Sequence, residues 1–104
     1  MYQVIVTFYG SAQSGRLRPP HPGTTRDHAY RPQVQVGQHM TTCFLFHEPT
    51  RSGPVPFGIA FPLCMELLFP EIYAPFLYPG KVLAFFEGSK KVGEGIIQPL
   101  APQE

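Results

Sequence analysis

Charged side chains are scarce in this chain of 104 residues: they make up 14% of it, against roughly a quarter of an ordinary globular sequence. Much of the exterior is therefore uncharged polar, glycine or proline, or is covered by a partner. Helical periodicity is almost absent, and 13 prolines spread along the chain exclude long helices. No secretory or transit segment is visible, because "MYQVIVTFY" has no basic n-region and runs straight into a strand pattern. The apolar zone from Pro54 to Phe86 is interrupted by Glu66, Glu71, Lys81 and several prolines, so it does not read as a membrane span. There is no internal repeat.

Recognisable catalytic machinery is missing as well. "GSAQSGR" (10–16) carries two glycines after a strand pattern, but no helix follows and no lysine takes the P-loop position. That excludes a nucleotide hydrolase of this type. Carboxylates are not paired at a useful spacing: Glu66 and Glu71 bracket an apolar run, and Glu87 and Glu94 lie across the last hairpin. His39, Cys43 and His47 recur every four residues. In a β-branched, aromatic segment that spacing spans roughly 13 Å of strand, whereas zinc ligands sit about 2.0–2.3 Å from the ion. Consecutive members of the set cannot share one metal. Cys43 and Cys64 fall in apolar strand-like runs and are expected as inward-facing free thiols in a reducing cytoplasm. No enzymatic activity, metal or cofactor is expected.

What the sequence has is aromatic and aliphatic bulk. Hydrophobic residues make up 43%, with nine Phe and five Tyr, enough for the core of one domain. Residues 1–98 are read as that domain and 99–104 as a tail. "YQVIVTFY" (2–9) is a strand. Residues 10–29 have no periodicity, and a connection that long inside a domain is usually functional or disordered. "YRPQVQV" (30–36) is a second strand beginning near Pro32, whose missing amide suits a strand start or an edge. "HMTTCFLFH" (39–47) is a third. "GIAFPLCMELLF" (58–69) exceeds one ordinary strand, so Pro62 is expected at an edge, bulge or corner between two pieces. "PEIYAPFLYPG" (70–80) reads as a proline-punctuated loop. "KVLAFFEG" and "KKVGEGIIQ" form a hairpin turning at Gly88–Ser89. Six or seven short strands with corner glycines point to an all-β fold, a small closed antiparallel barrel.

The charges are divided unevenly. Residues 1–47 hold Arg16, Arg18, Arg26 and Arg31 against Asp27 alone, a balance of +3. Residues 48–104 hold four bases against six acids, a balance of −2. One reading is an anion-binding loop on a near-neutral body; the other is ordinary surface charge.

Two ends of the chain carry a family resemblance. Gly15-Arg16 after the first strand, Tyr30-Arg31-Pro32-Gln33 opening the second, and Glu87-Gly88 with Val92-Gly93-Glu94-Gly95-Ile96-Ile97 in the last hairpin resemble the C-terminal β-barrel, the third domain, of bacterial elongation factor Tu. The resemblance runs from residue 2 to about 98. It departs from the family pattern at Leu17, where a histidine is usual, and at "GQHMTT" (37–42). It implies a six-stranded antiparallel barrel and contact with the T stem of aminoacyl-tRNA through Arg16, Arg31, Gln33 and Gly88. With neither a GTPase domain nor a second barrel in the sequence, GTP hydrolysis is not expected. Two functions stay open: a translation-associated module binding tRNA or another structured RNA, and a protein-interaction module. The second rests on low charge and on "FPEIYAPFLYP" (69–79), which is expected to expose an apolar patch to a translation-associated protein or a second copy.

Overall fold

The computed structural model describes residues 1–10 and 18–99. Six strands close into one antiparallel barrel in the order β1-β4-β3-β2-β5-β6. They are β1 (Tyr2–Phe8), β2 (Gln33–Val36), β3 (His39–Phe46), β4 (Phe61–Leu67), β5 (Val82–Glu87) and β6 (Lys90–Ile97). β1 pairs with both β4 and β6, so the sheet closes on itself and no strand edge among these six is left open.

Alternation fills the interior. Val4, Val6 and Phe8 from β1, Val34 and Val36 from β2, Cys43 and Leu45 from β3, Leu63, Met65 and Leu67 from β4, and Leu83 and Phe85 from β5 belong to one buried cluster. Phe8 and Phe85 are fully buried, a contribution of about 1.5–3 kcal/mol each. β6 makes room for them. An added Cβ at Gly93 would stand 2.7 Å from the Thr7 carbonyl oxygen, and one at Gly95 would stand 2.8 Å from the Phe85 ring. Leu77 and Val55, from connecting segments, are buried in the same cluster.

Three sequence expectations are revised, whereas β2 begins at Gln33, directly after Pro32, as expected. The ladder between β2 and β3 continues back past it: Tyr30 and Leu45 exchange both backbone bonds (2.9 and 2.8 Å), and the Cys43 amide donates to the Pro32 carbonyl at 3.0 Å. Pro32 costs the ladder only the reciprocal bond it cannot donate. Pro62 does not divide two strands; it is the second residue of a single β4, opposite Ile5, after a turn at 58–59. The 70–80 segment is not all loop, since a four-residue helix α1 (Pro70–Tyr73) leads into a 3-10 turn (Ala74–Phe76). Proline at the first helical position explains how so proline-rich a stretch still winds.

The third revision concerns the cysteines. Both are buried free thiols, but only Cys43 faces the barrel interior. Cys64 points outward and is covered on the outer surface with Phe44, Phe46 and Ala29. Burial pushes both thiols up from their ordinary pKa, which lowers their reactivity.

Replacing Gly93 with Ala tests the glycine requirement of β6. Its new methyl meets backbone rather than a movable side chain, so urea unfolding is expected to show a loss of about 1–3 kcal/mol.

Candidate functional site

The two ends of the barrel differ chemically. At one end stand the last residues of β1 and β3, the first of β2 and the β5–β6 turn. Here the 3-10 turn Arg26–His28 is fixed by neighbouring backbone bonds. The Gly23 amide donates to the His28 carbonyl (2.6 Å), and the His47 amide donates to the Gly23 carbonyl (2.8 Å). His47 is fully buried, its Nε2 lies 2.6 Å from the Gly53 carbonyl, and its Nδ1 has no hydrogen-bond partner among the described residues. Val55 also donates its amide to the Pro20 carbonyl at 2.8 Å. The long connection expected to be irregular is thus pinned to the body over residues 20–29.

The pairing registers lay out the outer face at this end. Gln33 lies between Thr42 of β3 and Phe86 of β5, and Phe86 in turn faces Lys91 of β6. One step toward the barrel end, Phe44 faces Glu66 of β4, and the Arg31 guanidinium lies over the Phe44 ring, 5.5 Å from its centroid. Extending the β2–β5 register by two residues from Gln33 and Phe86 sets the Gly88 turn alongside Arg31. Gly88 has φ of +63°, a conformation that glycine adopts without a Cβ penalty.

Of the four expected contact residues, Arg31, Gln33 and Gly88 therefore share one end of one face, and all three are exposed. Arg16 lies outside the described residues. Arg31 is exposed and has no carboxylate partner among the described residues; its guanidinium rests over an aromatic ring. Lys91 belongs to the same face, with its Nζ 3.6 Å from Glu94 Oε1.

Arg26 was not among the expected contacts. Its guanidinium lies over the same Phe44 ring at 4.1 Å, and its Nη1 is 3.8 Å from Glu66 Oε1. No sequence spacing announces this arrangement, because it depends on the path that the Gly23–His28 bond imposes on the loop. His39, Cys43 and His47 are strung along β3 from one end of the barrel to the other: His39 is exposed, Cys43 is inside, and His47 is buried beyond the strand.

The opposite end carries apolar surface. Leu68, Phe69, Ile72, Phe76 and Tyr78 are each 42–59% exposed. A cleft of about 290 Å³ opens there between Met1, Tyr2 and Gln3 on one side and Leu77, Pro79 and Ile97 on the other. No helix among the described residues is long and apolar enough to cross a membrane. No protein-family model and no curated protein matches this sequence.

At the edge of the polar face the Tyr9 hydroxyl donates to Glu94 Oε1. Burial, then the hydrogen bond to Glu94 and its charge, push Tyr9 up to about 12, while that bond and Lys91 pull Glu94 down. The folded state consequently holds the phenolic proton more tightly than the unfolded state does. Between about pH 10 and 12 the unfolded chain has released this proton and the folded chain has not, so stability falls as pH rises across that window. Urea midpoints taken through the window are expected to fall less steeply in Tyr9→Phe than in the parent.

Proposed function

We propose that this barrel is a module for structured RNA, of the kind found as the third domain of elongation factor Tu, acting without GTP hydrolysis on tRNA or a similar stem in the cytoplasm. The observation that carries this reading is the convergence of Arg31, Gln33 and the Gly88 turn on one exposed face, from segments more than fifty residues apart in the chain.

The chemistry of the face suits an RNA backbone. An exposed arginine with no carboxylate partner among the described residues can fork onto phosphate. Gln33 and the bare backbone at Gly88 can reach ribose hydroxyls or phosphate oxygens, which the shallow minor groove of A-form RNA displays. The two rings on this face are poor stacking platforms, since Phe44 is only 7% exposed and Phe86 is half-buried. That favours gripping a helix by its backbone over stacking splayed bases. The scarcity of charge elsewhere on the chain keeps the attraction local to this end.

A second reading, a protein-interaction module, is favoured by the exposed side chains at the far end. Ile72, Phe76 and Tyr78 stand more than half exposed on a segment whose one charged side chain from Leu68 to Gly80 is Glu71. A translation-associated protein or a second copy is the partner that this surface suits. The two readings use opposite ends and are compatible.

The experiment for the RNA reading is a salt titration of tRNA binding by fluorescence anisotropy. One to three phosphate contacts predict a slope of about −1 to −3 in log K against log salt. Arg31→Ala is expected to weaken binding by about 1–3 kcal/mol. It should cost the fold no more than the roughly 0.5–1 kcal/mol of an exposed cation–π contact. Absence of salt-sensitive binding, or a large stability loss in Arg31→Ala, contradicts the reading.

A further inference from the structure

We propose that Arg26 and Arg31, both laid against the Phe44 ring, form a two-pronged clamp for backbone phosphate, and that Glu66 is the clamp's built-in competitor. This rests on the RNA reading for the identity of its ligand and adds to it a second arginine, a platform and an antagonist.

Geometry is the first support. The two guanidinium centres lie 4.1 and 5.5 Å from one ring centroid. Their separation cannot exceed the sum of those distances, which is within one Debye length, about 10 Å at 0.1 M salt. Two like charges are thus held where each feels the other, and a doubly contacted anion relieves that repulsion. The platform is rigid: Phe44 is fixed by the β3–β4 ladder opposite Glu66 and packed with Phe46 and Cys64 beneath the loop. Neither arginine has to be gathered from free solution, so less rotamer entropy is lost when the anion arrives.

Charge is the second support. Glu66 reaches Arg26 at 3.8 Å, with Arg26 45% and Glu66 34% exposed at the side chain. At that distance and exposure the pair is a weak contact. Arg31 has no carboxylate partner among the described residues. Among the described residues Glu66 is thus the one carboxylate within ion-pair distance of either arginine, and it pairs with Arg26 alone. A phosphate entering between the arginines displaces the Glu66 carboxylate from Arg26 or leaves it as a near neighbour, and either outcome reduces affinity. Glu66 thereby sets how tightly the face holds RNA.

The test compares the parent with Arg26→Ala, Glu66→Gln and Phe44→Leu, the last chosen to keep the covered surface filled. Binding to a double-stranded RNA stem is measured across a salt series, and pyrophosphate is titrated while the arginine Nε–H resonances are followed by NMR. Glu66→Gln is expected to bind RNA about two- to fivefold more tightly. Arg26→Ala should bind at least fivefold more weakly, with a salt slope reduced by about one. Phe44→Leu should lose affinity although both arginines remain. Pyrophosphate should shift the Arg26 and Arg31 resonances together in the parent. If the parent binds RNA while Arg26→Ala and Glu66→Gln leave affinity unchanged, the clamp is overturned and the RNA reading stands. If the parent binds no RNA yet pyrophosphate moves both resonances, the clamp stands and the RNA reading falls. If pyrophosphate moves neither resonance, the clamp is overturned even where Phe44→Leu fails to fold.

Discussion

Closure of the sheet between β1 and β6 is the constraint on which the other features depend. Val4 pairs with Ile97 and Phe8 with Gly93 along that seam, and the seam exists only because β6 approaches without side chains at two positions. With Cβ atoms at Gly93 and Gly95 the strand would collide with the Thr7 carbonyl and the Phe85 ring. Glycine is a weak strand former, so its use twice in one strand reflects the space that two buried phenylalanines need. Closure in turn removes the open edges that a chain with so few charges could not protect by repulsion.

A closed barrel divides its surface into a wall and two ends. The wall's outward side chains are dictated by register, which is how Arg31, Gln33, Phe86 and Lys91 come to be neighbours. The ends are governed by the connections. At one end the connections are tied down by backbone bonds from Gly23, His47 and Val55, and they hold Arg26 against the wall. At the other, α1 and the 3-10 turn display apolar side chains. The polar end and the apolar end therefore arise from different physics: a strand ladder extended by a pinned loop, and a short proline-initiated helix.

Strand content was legible because it rests on local alternation. Val34 and Val36 against Gln33 and Gln35 already specify which side of β2 is buried, and the structure has that pattern. The start of β2 beside Pro32 was legible too, whereas the bridge of Tyr30 to Leu45 beyond it was not, because that is a matter of register. Cys64 was misjudged for a related reason. An apolar residue in a strand can be buried on either face when a loop lies over the outside, as the Ala29 region does over Phe44, Phe46 and Cys64. Of the site, Arg31, Gln33 and Gly88 could be selected from motif resemblance, and their proximity follows from the ladders. Arg26 and Glu66 could not be selected, since a loop-to-wall contact leaves no periodic trace in the sequence.

The most direct measurement of the central claim is an amide chemical-shift map of the protein titrated with an RNA stem. The account predicts perturbations at Arg26, Arg31, Gln33, Thr42 and the turn from Gly88 to Lys91, with the amides from Leu68 to Gly80 unmoved. Perturbations confined to the Leu68–Gly80 end, or none at any concentration, contradict it.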